Sequence, residues 1–295
     1  MSALKLLIVN RDVDRPELYA FKALAERGHQ IKVIGSNLAE RNRKLLAESG
    51  IETETIKIKS RISPAAISYL RNEFKKVNYD LVHYFSSRAL SNGLIASKGF
   101  SHKNIAYRGT SAKWPEHKWI LRHLPADPLS RLTYFNPAID KIMCVSEAVK
   151  EYLLLRGVPA VKLCRIYKGH LEEWYSQPAI ARSVLGVPEE AFLVIMVANI
   201  RPEKGAYILL EAFKKLVNQL PIHLMLLGEI RCRKTARIIS SLSLTEKNRV
   251  HLPGYVKEVS RYLKTADVSV LPSLAGEGLP KAILESMYCR VPVIT

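Results

Sequence analysis

The chain has 295 residues, of which 48% are hydrophobic and 24% charged, so it is neither disordered nor fibrous and is long enough for two domains. Its apolar runs are far shorter than the roughly 20 residues that span a bilayer, and no secretory signal opens it, which disfavours integral membrane and secreted proteins. The net charge of +18 favours polyanionic partners, but no RGG, zinc-finger or RNP-like motif accompanies it, so we expect no nucleic-acid partner.

The first half of the chain alternates short β-branched runs with segments of helical period. Strands are predicted at residues 4–9, 31–34, 54–58, 81–84, 105–107 and 139–145. Helices are predicted at residues 64–77 and 89–97. This βαβ alternation predicts a parallel sheet covered by helices on both faces.

The alternation restarts after residue 170. Strands are predicted at residues 193–198, 223–227, 268–271 and 291–294, with a helix at 207–220. The intervening residues 171–190 are rich in Pro, Gly and charge, which predicts a linker between an N-terminal Rossmann-like domain at 1–170 and a second at 191–295. Neither half has G-x-G-x-x-G after its first strand, so no dinucleotide cofactor is expected. We expect the ligand in the cleft between the domains.

Two carboxylates flank a Gly-Leu-Pro turn that opens a helix in the segment 271–287. The turn would supply backbone N–H groups, from about Gly278 to Lys281, to a diphosphate at the helix N-terminus. Glu277 precedes the helix and Glu285 lies within it, so one carboxylate could reach a sugar and the other a ribose. Because these anions flank a dianion, cations must come from elsewhere in the chain.

The segment 197–206 provides such cations, since it leaves the first strand of the second domain with Arg201 and Lys204. Arg grips phosphate with two parallel hydrogen bonds, and Lys acts as a point charge. On its own, this segment indicates a solvated, charged loop. Together with the segment 271–287 it favours a diphosphate site.

Five ordered segments of the second half carry a family resemblance. They are Arg201-Pro-Glu-Lys-Gly205, His251-Leu-Pro-Gly-Tyr255, Ala266-Asp-Val-Ser-Val-Leu-Pro-Ser273, Glu277-Gly-Leu-Pro with Glu285, and Val291-Pro-Val-Ile-Thr295. These segments resemble the donor domain of the retaining glycosyltransferases of family 4. The resemblance implies the GT-B fold, an α/β architecture of two Rossmann-like domains facing a cleft. Because the family normally continues beyond the strand that ends at Thr295, the second domain is expected to be incomplete at its C-terminus, as in a fragment or a truncated gene product.

The resemblance implies transfer of a sugar from a nucleotide diphosphate sugar to a polysaccharide or glycolipid acceptor, with retention of configuration and without a bound metal or other cofactor. It implies that Lys204, with Arg201 as a candidate helper, neutralises the leaving diphosphate. Glu277 would hold the donor sugar and Glu285 the ribose. The other implied donor-binding residues are Asn199, Gly254, Tyr255, Val256, Gly278 and Leu279.

The chain differs from the family's usual residues at one donor-side position and one acceptor-side position. Asn199 stands where the family usually has Arg, and the first-domain His that often faces the acceptor falls at Arg108. His83, at the end of a predicted strand, is another acceptor-side candidate, although a histidine of the core or rim fits the same pattern. The pair Asp12 and Asp14 has the D-x-D spacing of metal-dependent transferases, but we favour a solvated loop.

Two basic, aromatic-bearing segments, 61–77 and 113–135, could face an anionic membrane, although packing on the sheet explains the same apolar stripes. Four isolated cysteines fit a reducing compartment. The sequence therefore favours a cytoplasmic glycosyltransferase that could be peripheral on the inner face of the cell membrane. Its expected partners are a nucleotide sugar, a saccharide or lipid-linked acceptor and an anionic membrane surface. Two alternatives stay open: an inactive nucleotide-sugar-binding protein, and a nucleotide-sugar epimerase of the same fold.

Overall fold

A computed structural model describes residues 2–110 and 131–295 of the chain. These residues form two compact units, one of residues 2–110 and 131–169 and the other of residues 170–295. The division falls between Gly169 and His170, beside the expected end of the first domain at 170.

The described part of the first unit contains seven parallel strands in the order β3-β2-β1-β4-β5-β6-β7. The strands are β1 (Lys5–Asn10), β2 (Gln30–Gly35), β3 (Glu52–Thr55), β4 (Leu81–Tyr84), β5 (Lys103–Arg108), β6 (Lys141–Cys144) and β7 (Leu163–Arg165). In β1 every residue after Lys5 is buried, as expected for a strand covered on both faces.

Helices α1 (Arg15–Glu26), α2 (Glu40–Ala47), α3 (Pro64–Lys76), α4 (Ser87–Ala96) and α5 (Glu147–Leu155) accompany this sheet. Side-chain caps explain where three of them begin. Asp14 and Glu17 form a capping box on α1, while Ser86 and Ser146 each accept a backbone N–H from the first turn of α4 and α5. These caps fix the N-termini of α1, α4 and α5 at the edge of the sheet where the preceding strands end.

The second unit has a parallel sheet of five described strands in the order β10-β9-β8-β11-β12. The strands are β8 (Phe192–Val197), β9 (Ile222–Leu227), β10 (Val250–Gly254), β11 (Val268–Val270) and β12 (Val293–Ile294). The helices are α6 (Ala206–Leu216), α7 (Arg233–Ser240), α8 (Leu244–Lys247), α9 (Val259–Leu263) and α10 (Lys281–Tyr288). Two parallel α/β units confirm the predicted fold class.

Residues 171–190 differ from the linker expected there. Trp174, Tyr175 and Val187 are buried in the core of the second unit, and two 3-10 turns, Glu172–Tyr175 and Arg182–Leu185, shape the segment. The segment is therefore an integral layer of that unit. Its Pro and Gly content marks tight turns rather than freedom from packing.

Strand β3 ends at Thr55, earlier than the predicted strand 54–58. The alternating run Ile56-Lys-Ile-Lys59 predicts a strand by period, but Ile58 turns into the core at 8% exposure while the chain leaves the sheet. The residues from Ile56 to Ser63 thus form a loop between β3 and α3.

Candidate functional site

The loop after β8 approaches the segment after β11 closely, because these two strands are neighbours in the sheet. Gly205 has φ of 71°, and a Cβ atom there would lie 2.0 Å from the carbonyl oxygen of Pro272. Only glycine fits such a contact. Leu274 N donates to the carbonyl of Glu203 at 2.9 Å, which ties the two segments together.

Lys204 and Glu277 form an ion pair where these segments meet, and Ser273 Oγ donates to Glu277 Oε1 at 2.6 Å. Each side chain of the ion pair is 25% exposed, so both remain within reach of a ligand. The arrangement places a cation and a hydrogen-bond-accepting carboxylate side by side. In such a pair the lysine can donate to a phosphate oxygen, and the glutamate can accept from a hydroxyl group.

Gly278 and Leu279 lead from Glu277 into α10, which begins at Lys281. No side chain of the described residues caps this helix at Pro280, and its backbone bonds start with Ile283 N donating to the carbonyl of Pro280 at 3.1 Å. A helix leaves its first N–H groups without intrahelical acceptors, and they carry partial positive charge. The start of α10 therefore adds donors beside the ion pair.

Glu285 projects from α10, and its side chain is 16% exposed, 4.0 Å from Lys281 Nζ. Burial raises the pKa of Glu285 above its ordinary value, while the Lys281 charge acts in the opposite direction. Its described ion pair is therefore with Lys281 of its own helix rather than with Lys204. A buried carboxylate of this kind gains from hydroxyl donors that replace lost water.

Asn199 and Arg201 lie in the loop that precedes Lys204. Arg201 N donates to the carbonyl of Asn199 at 2.8 Å, and Arg201 Nη1 lies 3.7 Å from Glu203 Oε1. The Arg201 side chain is half exposed, so its guanidinium remains available to an anion at the same sheet edge.

The ends of β8, β9 and β10 meet at Gly228, whose N–H donates to the carbonyl of Gly254 at 2.8 Å. A Cβ atom on Gly228 would lie 2.0 Å from the carbonyl oxygen of Ala198. Gly254 has φ of 73° and is followed by Tyr255, which is 74% exposed. Val256 packs against the core of the unit, so the structure gives it a packing role.

His83 is the first acceptor-side candidate, and it lies in β4 with its ring 4.2 Å from that of Phe85. Burial lowers the pKa of His83 to about 3, and its Nε2 has no hydrogen-bond partner within the described residues. The imidazole is therefore neutral near pH 7.

Arg108, the second acceptor-side candidate, ends β5. Its guanidinium lies over the rings of Tyr134 at 4.8 Å and Tyr152 at 5.7 Å, and its Nε donates to the carbonyl of Thr110 at 2.7 Å. Arg108 lines a small cavity of about 140 Å³ in the first unit.

Asp12 and Asp14 serve the fold. Asp14 caps α1 and lies 2.6 Å from Lys168 Nζ, and Asp12 Oδ1 accepts hydrogen bonds from Val13 N and Asn42 Nδ2. Across residues 2–110 and 131–295, no three His, Cys, Asp or Glu side chains are grouped so that they could hold a metal ion.

The apolar stripe of α3 packs inside the first unit, since Ala66, Leu70 and Phe74 are buried. Arg71 Nη1 donates to the carbonyls of Ala96 at 3.2 Å and Lys98 at 2.9 Å, so it serves packing as well. Most of the second basic segment, 113–135, lies outside the described residues. None of the described helices is both long and apolar enough to cross a membrane.

Two parts of these sites escaped the sequence reasoning. Ser273, which donates to Glu277, ends the segment 266–273, and the family resemblance implies no role for it. Lys168, which pairs with both Asp14 and Glu17, stands far along the chain from them. The Lys168 contacts depend on the order of the strands, whereas Ser273 stands four residues before Glu277, and that short spacing is the signal that could have indicated its contact.

Models of known families match residues in both units. The model described as Glycosyltransferase Family 4 matches residues 18–170, more than half of the chain. The chain belongs to glycosyltransferase family 4. The model described as Glycosyl transferases group 1 matches residues 191–295 of this family 4 chain.

Curated relatives are longer than this chain. An Escherichia coli protein named UDP-Gal:alpha-D-GlcNAc-diphosphoundecaprenol alpha-1,3-galactosyltransferase is 29% identical over 75% of this chain and 58% of its own length. An Erwinia amylovora protein named amylovoran biosynthesis glycosyltransferase AmsK is 27% identical over 73% of this chain and 52% of its own length. The chain thus spans little more than half the length of these relatives.

Solved structures share the fold at low identity. A glycosyltransferase from Rickettsia africae has a TM-score of 0.77 at 18% identity, over 99% of this chain and 79% of its own. Anabaena HepE in complex with UDP-glucose has a TM-score of 0.75 at 20% identity, over 98% of this chain and 79% of its own. This likeness supports the GT-B fold that the resemblance implied.

Proposed function

We propose that this chain binds the substrates of a retaining glycosyltransferase, which moves a sugar from a nucleotide diphosphate sugar to a saccharide or lipid-linked acceptor. The observation that carries the proposal is the Lys204–Glu277 ion pair, held by Ser273 beside the start of α10. The named substrates of the Escherichia coli relative and the UDP-glucose in HepE favour a uridine nucleotide.

The ion pair is suited to a donor substrate that carries a diphosphate. When a diphosphate reaches Lys204, it replaces Glu277 as the partner of the ammonium group. Glu277 then accepts hydrogen bonds from the donor-sugar hydroxyls and stabilises positive charge at the anomeric carbon, while Ser273 keeps it in place. Arg201 and the first N–H groups of α10 add charge stabilisation on the leaving oxygens.

Glu285 would bind the ribose hydroxyls on the other side of the diphosphate. Its burial removes competing water, so two hydroxyl donors would compensate the carboxylate well. Gly254 and Tyr255 would line the base, and Asn199 would contribute an amide where a cation is usual in the family. In this proposal the reaction needs no metal, because Lys204 and Arg201 neutralise the diphosphate.

We also propose a cytoplasmic location, peripheral on the inner face of the cell membrane. The support is the net charge of +18, since each Lys or Arg near an anionic surface contributes about 1 kcal/mol. Flotation with phosphatidylglycerol vesicles tests this. Binding should rise with anionic lipid and fall with salt, and a protein that ignores these vesicles at low salt refutes the location.

Calorimetry with UDP, GDP and ADP tests the donor site. We expect preferential binding of UDP in excess EDTA, and Lys204→Ala should weaken it by about 1.5–3 kcal/mol. Lys215→Ala, an exposed lysine on α6 of the same unit, is the matched control and should leave binding unchanged. Absence of any nucleotide binding would overturn the proposal.

A turnover assay separates transfer from its rivals. With donor and acceptor present, the product should keep the anomeric configuration of the donor, as NMR of the new linkage reports. Conversion of the nucleotide sugar to its epimer without acceptor would indicate an epimerase instead, and binding without turnover would indicate an inactive nucleotide-sugar-binding protein.

A further inference from the structure

The first unit contains a cavity of about 750 Å³ at the carboxyl ends of four neighbouring strands, β3, β2, β1 and β4. We call it the basic pocket, because its lining includes five cationic side chains: Arg11, Lys57, Lys59, Arg61 and Arg88. Arg11 lies in the loop after β1, the residues at 57, 59 and 61 lie in the loop after β3, and Arg88 lies in the first turn of α4, which follows β4; the loop after β2 adds Ser36 and Asn37.

In the part of the chain that the structure describes, the cations of the basic pocket have no carboxylate counterions. No carboxylate is among its lining residues, and within residues 2–110 and 131–295 none of its five cations forms an ion pair with an acidic side chain. Elsewhere in the same unit Lys32, Lys103 and Lys168 each pair with carboxylates. Like charges that converge in a concave site raise its potential and attract a compact anion.

The sheet topology places the basic pocket at a switch point. From β1 the chain adds β2 and β3 on one side, and β4 pairs with the other side of β1. Ligands of open α/β sheets bind outside the carboxyl ends of the strands at such a point. Helix α4 also starts there, with Ser86 Oγ accepting from Ala89 N at 3.2 Å, so its positive end faces the same region.

Buried polar side chains hold the loop that carries Arg61. Ser91 and Asn92 of α4 are fully buried, and Ser91 Oγ donates to the carbonyl of Arg61 at 2.6 Å. Asn92 Nδ2 donates to the carbonyl of Ser60 at 3.0 Å, and its Oδ1 accepts from Ser63 N at 2.7 Å. The backbone that presents Arg61 is therefore fixed before any ligand arrives, which lowers the entropic cost of binding.

We propose that the basic pocket binds a phosphate or diphosphate group carried by the acceptor substrate. The inference rests on the proposed function, because the donor diphosphate has its own cations, Lys204 and Arg201, in the other unit. The small cavity lined by Arg108 shares Arg61 and Ser87 with the basic pocket, so the acceptor-side candidate Arg108 lies next to it. The phosphate can belong to a soluble sugar phosphate or to a lipid-linked diphosphate.

Calorimetry on a Lys204→Ala background tests the pocket with the donor site weakened. The probes are inorganic pyrophosphate and farnesyl diphosphate, a water-soluble prenyl diphosphate. The pocket variant replaces Lys57, Lys59 and Arg61 with Gln. The matched control makes the same replacement at three exposed lysines of the same unit, Lys5, Lys75 and Lys98. We expect the pocket variant to bind pyrophosphate about tenfold or more weakly, and the control to change by less than about threefold.

The two probes distinguish the sources of phosphate. Equal affinity for both indicates a pocket that contacts only the diphosphate of a soluble acceptor, and tighter binding of farnesyl diphosphate indicates a lipid-linked one. No pyrophosphate binding, or equal losses in the pocket and control variants, overturns the inference. So does a pocket variant that loses binding to phosphatidylglycerol vesicles but keeps pyrophosphate, since the cations would then serve a membrane surface.

UDP binding by the pocket variant with Lys204 intact separates the two proposals. Unchanged UDP binding together with lost pyrophosphate binding supports both sites. Absence of UDP binding in every protein, with pyrophosphate binding still sensitive to the pocket variant, would refute the donor-site proposal.

Discussion

Lys168 Nζ lies 2.7 Å from Glu17 Oε1, and this contact joins the segment after β7 to the first helix of the same unit. Burial alone would lower the pKa of Lys168, but the carboxylates of Glu17 and Asp14 outweigh it and hold that pKa above its ordinary value. Asn10 Nδ2 donates to the other oxygen of Glu17 at 2.9 Å. The carboxylate is therefore compensated on both sides.

Replacing Lys168 with Met should lower the free energy of unfolding by about 2–4 kcal/mol, because Glu17 would keep its burial and lose its cation. Urea denaturation measures the change. Lys150→Met removes an exposed pair with Glu147 and should leave the free energy of unfolding nearly unchanged. A double variant with Glu17→Gln should recover part of the loss, and a Lys168→Met protein as stable as the parent would contradict this account.

Gly205→Ala should destabilise the protein by more than the cost of placing an alanine at a positive φ. The new methyl group would lie 2.0 Å from the carbonyl oxygen of Pro272, so the loop that carries Lys204 must move away from Glu277. We expect a loss of about 2–4 kcal/mol in stability and a loss of nucleotide binding. Gly28→Ala is the control, since φ there is 86° but open space surrounds the new atom, and it should cost about 1 kcal/mol with binding unchanged.

His223 Nδ1 and His251 Nε2 share a hydrogen bond of 2.9 Å, and burial lowers the pKa of both imidazoles. The unfolded chain therefore binds protons that the folded chain does not, so the free energy of unfolding should fall as pH drops below about 6.5. Urea denaturation from pH 7.5 to 5 measures the slope. His251→Gln should make it shallower, while His83 and His102, whose pKa values desolvation also lowers, keep a remainder. An unchanged slope would show that the pair does not titrate on unfolding.

Glu285→Gln should separate stability from binding. The raised pKa of Glu285 means that the folded chain holds its proton more tightly than the unfolded chain, so stability is lost as pH rises through the range between these two values. The Gln variant should therefore be more stable than the parent at pH 7, and the gap should close at acid pH. Its UDP affinity should fall about tenfold or more if Glu285 binds the ribose. Reduced stability at pH 7 would contradict the first expectation.

Much of the fold could be predicted from periodicity. Strands β1, β2, β4, β8 and β9 appear within one residue of their predicted bounds, because their apolar runs are covered on both faces. Two motifs at the ends of predicted strands placed Lys204 and Glu277 at one diphosphate site, but they did not predict the direct ion pair between these side chains. Residues 171–190 escaped this reasoning, since their 3-10 turns are too short to show a period and Trp174 and Tyr175 reach the core individually.

The basic pocket could not be predicted from local patterns. Arg11 and Lys57 belong to two loops and Arg88 to the first turn of α4, and each of these distant segments alone resembles ordinary charged surface. They converge because the parallel order β3-β2-β1-β4 puts the carboxyl ends of these strands at one edge. Strand order depends on packing and crossover handedness over the whole sheet, which a single sequence does not display.

The bonds from Ser91 and Asn92 to the loop before α3 all reach main-chain atoms: the carbonyls of Ser60 and Arg61 and the N–H of Ser63. Almost any amino acid at positions 60 and 61 supplies the same carbonyl. Substitutions there would alter the chemical groups that the loop presents while leaving its path intact. A related protein could therefore change its ligand selectivity through the side chains at positions 60 and 61, while the backbone of the loop keeps the same path.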